Sequence, residues 1–191
     1  MNMAKVRKIL KNNTGKDLYQ HSLGVEKTAF SLALKHGADS KKASKAGLLH
    51  DYAKNFSFEE LRSIALENDL ADEVALQEPA LLHAPVGAWL LETELGITDK
   101  EILEAVRMHT TGAAGMSLLA KIVYLADFIE PGRTHAGVKK IRKTAFSDLE
   151  KALLCAVGFT LGRLLDRKKI IHPNSVFFYN SLVSKTRSGD I

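Results

Sequence analysis

The chain has 191 residues, of which 46% are hydrophobic, and its formal net charge is +5. This length and apolar content predict one folded domain with a sizeable core and exclude a disordered chain. No apolar run approaches the roughly 18 residues that a membrane-spanning helix needs, and the N-terminus lacks the apolar stretch of a signal peptide. We therefore expect a cytoplasmic protein without a membrane partner. Its one cysteine, Cys155, has no disulfide partner and is expected to pack in the core.

The basic residues are scattered along the chain. A positive balance suits an anionic ligand, either a nucleotide or a nucleic acid. The densest basic runs, 139–143 and 167–169, are short and more simply interpreted as solvated helix faces. The charge pattern therefore leaves a nucleotide and a nucleic acid both open as the anionic ligand.

Apolar residues recur at helical spacing almost throughout the chain. The first long pattern predicts a helix from Leu18 to His36, stopped by Gly37. A second predicted helix runs from Ser40 to Ala53. Three pairs with the spacing of a capping box predict further helix starts, and these are Ser57/Glu60, Thr98/Glu101 and Ser147/Glu150.

The later elements also follow a helical pattern. Pro79 opens a region whose helix is predicted from Leu82 to Leu95, with a start at Pro85 as an alternative because proline suits a first turn. Further helices are predicted over Ser117 to Ile129, after Ser147, and after Pro173, the last one fraying from Ser184 onward. No sustained alternation, fixed repeat or domain-splitting linker is present. The sequence predicts an all-α, single-domain helical bundle.

Imidazole and carboxylate side chains occur in several of these segments. Nitrogen and oxygen donors of this kind form two-metal hydrolytic sites. The adjacent pair at 50 and 51 follows an apolar helical run, where helical geometry would point the two side chains in different directions. The candidate metal ligands are His21, His50, Asp51, His83, His109 and Asp127.

Each candidate also has a purely structural interpretation. His21 lies on an inward-looking stripe with Val25 and Leu32, where a histidine is more often a hydrogen-bonded core residue than a ligand. Asp127 lies in an apolar helix, where its carboxylate needs a cation partner, and Arg or Lys would serve as well as a metal. Taken jointly, the six residues favour a dinuclear metal site. Three other histidines are not assigned to it, namely His36, His135 and His172.

Groups that would contact phosphate follow the candidate ligands. Lys54 comes three residues after Asp51 and returns to a similar helix face, and Arg133 comes just after the helix of Asp127. Either could offset phosphate charge. Hydroxyl and backbone donors are available at Thr110, Thr111 and Gly112. We therefore predict Asp51, Lys54 and Arg133 as catalytic residues.

The residues resemble those of the HD superfamily, and within it the YqeK-type symmetrical diadenosine-tetraphosphate hydrolases of bacteria. The resemblance covers most of the chain and rests on motifs in a fixed order. Two positions depart from it, since Leu18 and Ala113 stand where the family often has arginine. The motifs are His21–Val25, Leu49–Lys54, Leu82–Ala88, His109–Gly112 with Gly115–Ser117, Tyr124–Arg133 and Tyr179–Asn180.

The resemblance implies an HD-type domain over 1–191, with a metal core at about 18–133 and C-terminal helices at about 139–185. It implies a di-iron centre, with manganese or cobalt as alternatives, and a homodimer remains an option. It also implies cleavage of diadenosine tetraphosphate into two ADP, by attack of a metal-bridging hydroxide on an inner phosphorus, with Asp51 bridging the metals. The alternatives are an HD-type nucleotidase or phosphodiesterase acting on another nucleotide, and a basic nucleic-acid-binding module.

Overall fold

The computed structural model describes residues 3–187, and within them the secondary structure is helical, with no strand. Ten α-helices and one short 3-10 turn, Ala75–Gln77, follow one another within these residues. The helices are α1 (Met3–Asn13), α2 (Lys16–His36), α3 (Ser40–Leu49), α4 (Phe58–Glu67), α5 (Pro79–Thr93), α6 (Lys100–Met108), α7 (Leu118–Ile129), α8 (Val138–Ala145), α9 (Leu149–Asp166) and α10 (Pro173–Arg187). None of these helices has the length and apolar character to cross a membrane.

Helices α2, α3, α5, α6 and α7 pack around one another, and α9 then joins α7 to α8 and α10. One continuous apolar cluster fills the space between them, with fully buried side chains such as Leu48, Leu91, Ile122 and Leu153. Close packing of this kind fixes the helices in place, and it therefore also fixes the buried polar side chains that they carry. The all-α expectation is confirmed.

The ends of the first two predicted helices agree in part with the structure. Gly37 ends α2 in the left-handed conformation, with φ of 76°, as glycine after a helix usually does. The second helix is shorter than predicted, because α3 ends at Leu49 and residues 50–55 form consecutive turns. This early end matters, since it frees His50 and Asp51 from the constraints of a continuing helix.

The three predicted capping boxes had different outcomes. Ser57 and Glu60 form the reciprocal box that starts α4. The predictions at Thr98 and Ser147 were wrong by one residue, because the side chains of Asp99 and Asp148 cap α6 and α9 instead. A carboxylate accepts strongly from free backbone N–H groups and also favours the positive end of the helix dipole, so it can displace a neighbouring hydroxyl.

The predicted start of α5 was wrong, because it was placed too far along the chain. The helix begins at Pro79, and Pro85 lies inside it. His83 was expected at or just before a helix start, and it is instead a buried residue within α5. Gly96 does follow this helix in a left-handed conformation, with φ of 61°.

Three further expectations need correction or extension. Cys155 is exposed and not part of the core. The basic run at 139–143 is not only a solvated face, because Arg142 donates to the carbonyls of Ile129, Glu130 and Arg133. The last helix includes Ser184 and continues to Arg187, and residues 188–191 lie outside the described part of the chain.

Candidate metal centre

The six candidate ligands come from five helices or the turns that follow them. His21 lies on α2, His83 on α5 and Asp127 on α7, while the pair at 50–51 and His109 follow the ends of α3 and α6. The packing of these helices brings all six side chains to one place. His50 and His83 are 0% and 1% exposed, so this is a cluster inside the molecule and not a surface patch.

The cluster consists of two groups that share one carboxylate. His21, His50 and Asp51 form one group, and Asp51, His83 and His109 form the other, with the donor atoms of each group within 4.8 Å of one another. Oδ2 of Asp51 is 3.3 Å from Nε2 of His50, and its Oδ1 is 3.0 Å from Nε2 of His83. The two oxygens of Asp51 therefore face different groups, as a bridging carboxylate must.

Asp127 adds a second carboxylate to the first group. Its Oδ1 is 3.0 Å from Nε2 of His21 and 3.8 Å from Nε2 of His50. It also accepts from Nη2 of Arg133 at 2.5 Å. Both interpretations left open for Asp127 are thus present in one geometry, an arginine partner and a position among potential metal ligands.

Backbone contacts fix the tautomers of two of the imidazoles. Nδ1–H of His50 donates to the carbonyl of Gly47 at 2.8 Å, and Nδ1–H of His109 donates to that of Val106 at 2.7 Å. When Nδ1 carries the proton, Nε2 of a neutral imidazole is a lone pair. The inward-facing nitrogens are therefore the ones that can bind a cation.

The donor set fits a metal pair. Nε2 atoms of His21 and His50 lie 3.2 Å apart, and those of His83 and His109 lie 3.1 Å apart. Lone pairs directed at each other at these distances repel unless a positive charge lies between them. Oδ1 of Asp51 is buried and has no hydrogen-bond partner among the described residues, and an orphaned buried carboxylate oxygen is costly without a cation.

The charges of the cluster agree with this fit. Burial lowers the pKa of His83 to about 4, although the nearby carboxylate of Asp51 acts to raise it, so this imidazole is neutral at neutral pH. Burial would also lower the pKa of His50, but the carboxylates of Asp51 and Asp127 raise it instead. The centre therefore attracts positive charge, and Nε2 of His50 is available to a proton or to a metal ion.

Glu130 is a functional group that the sequence interpretation missed. Its Oε1 accepts from Nδ1–H of His21 at 3.2 Å, and its Oε2 accepts from the backbone N–H of Gly132 at 2.6 Å. A carboxylate behind an imidazole ligand fixes the ring and raises its basicity. The spacing could have indicated this role, because Glu130 follows Asp127 by three residues, close to one helical turn.

Small residues make room for Glu130. A Cβ atom placed on Gly24 would lie 2.5 Å from Oε2 of Glu130. Gly24 follows His21 by three residues on α2, so a glycine at this place lets the carboxylate pass beside the helix and reach the imidazole. Arg142 holds the same loop from the other side through its three carbonyl contacts.

Three of the predicted phosphate contacts lie at the cluster. Nζ of Lys54 is 3.6 Å from Oδ1 of Asp51 and 3.2 Å from Nε2 of His83. Oγ1 of Thr110 is 3.2 Å from Nε2 of His109, and Arg133 reaches the opposite group through Asp127. Two cations and one hydroxyl thus surround the centre on different sides.

Thr111 and Gly112 have other contacts. Oγ1–H of Thr111 donates to the carbonyl of Gly112, and the carbonyl of Thr111 accepts from Ser175 on α10. Gly112 has φ of 65°, and a Cβ there would lie 2.4 Å from Cδ1 of Phe178. Both residues thereby fix the turn after α6 against α10, and the hydroxyl of Thr111 bonds within this turn and not to the cluster.

The three histidines not assigned to metal lie elsewhere. His36 bonds to the carbonyl of Ala145 at 2.7 Å. His172 pairs with Asp72 at 3.0 Å. His135 packs against Phe128, with ring centroids 4.4 Å apart and the ring planes 58° apart. None of them belongs to the two groups of potential ligands found among the described residues.

The class of protein follows from the comparison of this fold and site with known families. Residues 18–132 match the family model described as HD domain, the segment that contains all six candidate ligands. A solved structure from Clostridium acetobutylicum, described as a predicted HD superfamily hydrolase involved in NAD metabolism, is 40% identical and superposes with a TM-score of 0.93. The aligned region covers 97% of this chain and 98% of the Clostridium chain.

Two curated bacterial relatives narrow the class. Each carries the name symmetrical bis(5'-nucleosyl)-tetraphosphatase. The protein of Bacillus subtilis is 41% identical over 96% of this chain and 99% of its own length, and that of Halalkalibacterium halodurans is 40% identical over 96% and 98%. The chain belongs to the HD domain family, in the group that includes these tetraphosphatases.

Proposed function

We propose that this protein hydrolyses diadenosine tetraphosphate symmetrically to two molecules of ADP. The observation that supports this most directly is the pair of ligand groups joined by Asp51. Two relatives that align over almost the whole chain carry the name of this activity. In the reaction, the oxygen of water joins one of the two central phosphorus atoms. The central anhydride oxygen leaves with the other ADP, and both hydrogens of the water are released as protons when the two ADP products are fully ionised.

The ligands of a metal pair would be the six candidates, with Asp51 shared between the two ions and Glu130 behind His21. A bound metal pair supplies a water of lowered pKa as the nucleophile and a Lewis acid for the phosphoryl oxygen. We propose iron, with manganese or cobalt as alternatives, because the resemblance to the HD hydrolases implies it and because imidazole and carboxylate donors suit these metals.

The remaining residues of the site act on the phosphates. Lys54 lies beside the His83 group and Arg133 beside the His21 group, so the two cations can offset negative charge on opposite sides of the scissile bond. Oγ1 of Thr110, between His83 and His109, can orient a phosphate oxygen. Thr111 and Gly112 would contribute by holding the turn that carries Thr110.

Product analysis with metal analysis tests the function. The purified chain is incubated with diadenosine tetraphosphate, the nucleotides are separated by chromatography, and bound metals are counted. ADP as the sole product, with about two metal ions per chain, would agree with the proposal. AMP and ATP would mean asymmetric cleavage and would refute it. If two metals are bound and diadenosine tetraphosphate is not hydrolysed, the substrate would be another nucleotide. The alternative of an HD-type nucleotidase or phosphodiesterase would then be tested.

The wider setting of the site is also a proposal. A single HD-type domain, with its metal core at about 18–133 and supporting helices at about 139–185, agrees with the match of the HD model to 18–132 and with α9 packing on α7. A small-molecule nucleotide would be the partner, without nucleic acid or membrane, in the cytoplasm. Homodimer formation stays a prediction for light scattering of the purified chain.

A further inference from the structure

A second feature of the molecule adjoins the metal centre. Two pairs of consecutive residues, His109–Thr110 and Asp127–Phe128, each place the first residue in the cluster and the second on the wall of a cavity of about 420 Å³. Helix α9 forms the far wall through Phe159 and Arg163. We call this cavity the α9 pocket. Its volume lies in the range of pockets that bind small organic ligands.

Two aromatic rings, those of Phe128 and Phe159, line the α9 pocket. The ring of Phe159 lies 5.7 Å from that of Phe128 and 4.8 Å from that of His135, measured between centroids. The guanidinium of Arg163 lies over the same ring, 5.9 Å from its centroid. The rings of Phe128 and His135 hold Phe159 in place, and the exposed guanidinium of Arg163 covers part of its face. A planar base would stack on that face when the Arg163 side chain turns aside.

The charge of the pocket matches an anionic ligand with an aromatic end. Three basic side chains border it, Arg163, Arg167 and Lys169, against one acidic one, Glu78. Glu78 is itself paired with Lys169, at 3.6 Å. A nucleoside whose phosphates extend past Thr110 toward the metal centre would satisfy both the apolar wall and the basic rim.

The other side of the metal centre differs in kind. A more open groove of about 520 Å³ runs beside α2 and includes His21, Lys27 and Arg133, with Asp17, Gln20 and Glu130 near them. We call it the α2 groove. Its described lining contains no Phe, Tyr or Trp, so it offers charges for phosphate but no stacking surface for a base.

The geometry points to an unequal grip on a symmetric substrate: the α9 pocket binds one nucleoside, and the α2 groove holds the phosphates of the other half without stacking its base. This inference rests on the proposed function and adds the place and the asymmetry of base recognition. Phe159 is its specificity-determining residue, since it supplies the stacking face. The second nucleoside then contributes little to affinity.

Binding of ADP tests the pocket directly. We would titrate the metal-loaded chain with ADP by calorimetry and compare Phe159→Leu, which keeps apolar volume but removes the ring, with Phe159→Tyr, which restores it. Phe30→Leu on the exposed face of α2 is the matched control. Loss of one base stack predicts about tenfold weaker binding for Phe159→Leu and wild-type affinity for the other two. Unchanged affinity in Phe159→Leu would overturn the assignment.

A variant at Arg163 tests the pocket even if the Phe159→Leu protein does not fold. Arg163 is exposed on α9, so Arg163→Met removes charge from the rim without disturbing the core. It should weaken ADP binding several-fold, on the order of one surface charge contact, and reduce its salt dependence. If Phe159→Leu does not fold, an Arg163→Met protein with unchanged affinity and unchanged salt dependence would overturn the assignment in its place.

Turnover of a one-ended substrate tests the asymmetry. Adenosine 5'-tetraphosphate has a single nucleoside, and cleavage at its central anhydride gives ADP and pyrophosphate. We expect its kcat/KM to lie within about threefold of that of diadenosine tetraphosphate, whereas loss of a second stacked base would lower it by roughly tenfold or more. A drop of that size would refute the unequal grip.

The two proposals fail in different ways. Hydrolysis of diadenosine tetraphosphate to ADP, combined with ADP binding that ignores Phe159→Leu, would refute the pocket and keep the function. ADP binding that depends on Phe159, without hydrolysis of diadenosine tetraphosphate, would refute the function and leave the pocket as a nucleotide site.

Discussion

Asp51 and Asp99 are both carboxylates whose pKa lies below the ordinary value, but in two unlike regions of the molecule. Burial would raise the pKa of Asp51, and the imidazoles of His50, His109 and His83 lower it well below its usual range. Asp99 is at the surface, where slight burial is outweighed by Lys42 and by the N–H groups of α6. The surface carboxylate of Asp99 has hydrogen-bond partners on the protein. The buried carboxylate of Asp51 has one oxygen without a hydrogen-bond partner among the described residues, which is typical of a functional site.

This comparison separates function from stability. Removing a carboxylate from the buried centre should abolish activity, because the polar cluster there is arranged for a ligand. Removing one from a helix start should lower the free energy of unfolding and leave the chemistry intact. The predictions below test that separation from the largest expected effect to the smallest.

Asp51→Ala should lower the rate of ADP formation by about a thousandfold or more, because both ligand groups lose the carboxylate that they share and the Lewis-acid contribution is worth several kcal/mol. The measurement is turnover of diadenosine tetraphosphate beside the metal content. Asp51→Asn is the matched variant, with the shape kept and the charge removed. Near-normal activity of the alanine variant at full metal occupancy would show that the site is assigned wrongly.

Lys54→Met and Arg133→Met should each lower kcat/KM by roughly ten- to a hundredfold, the worth of one hydrogen bond to a charged group. The metal content should stay at the wild-type value, because neither residue is a candidate ligand. Lys41→Met, an exposed lysine on α3, is the control for loss of one positive charge. A loss of metal in step with the loss of rate would assign these cations to the integrity of the centre and not to phosphate.

Glu130→Gln should lower metal affinity by roughly ten- to a hundredfold, as loss of a carboxylate behind an imidazole ligand does. Glutamine keeps a hydrogen-bond acceptor for His21 but not the charge. Competition with a chelator, followed by metal analysis, measures the change. At saturating metal the activity should largely return, and a permanent loss of activity with metal fully bound would instead place Glu130 in the reaction itself.

The sequence predicted the buried centre better than the helix starts. Histidines and aspartates are unusual in apolar helices, so His83 and Asp127 could be selected by residue type even though the position of His83 in α5 was wrong. Neighbouring side chains compete to cap the start of a helix. Thr98 and Asp99 are adjacent and both residue types can cap a helix, so sequence spacing alone does not show which of them does so. The α9 pocket was missed for another reason: Phe159 and Arg163 are common residues on an ordinary helix, and only the packing of α9 on α7 brings them to the cavity beside the metal centre.

Asp99→Ala should lower the free energy of unfolding by about 1 kcal/mol, the usual effect of losing a helix cap. Asp99→Asn should keep most of the cap, since its side-chain oxygen can still accept from Glu101 and Ile102 as Asp99 does. Activity should be unchanged in both variants. Denaturant unfolding with parallel turnover measurements checks this, and a large loss of activity in a fully folded variant would contradict the separation of the two regions.

The pH dependence sharpens the same test. Because the folded-state pKa of Asp99 is lowered, its contribution is fully present above the unfolded value of about 4 and is lost as the pH falls through the folded value. The pKa of Lys42 is raised, by its hydrogen bonds to Glu101 and Asp99, so that side of the ion pair is lost only above about pH 10. The difference in unfolding free energy between wild type and Asp99→Asn should therefore be constant near neutrality and shrink in acid. A difference that grew as the pH fell toward 3 would show that Asp99 is not stabilised by its charge.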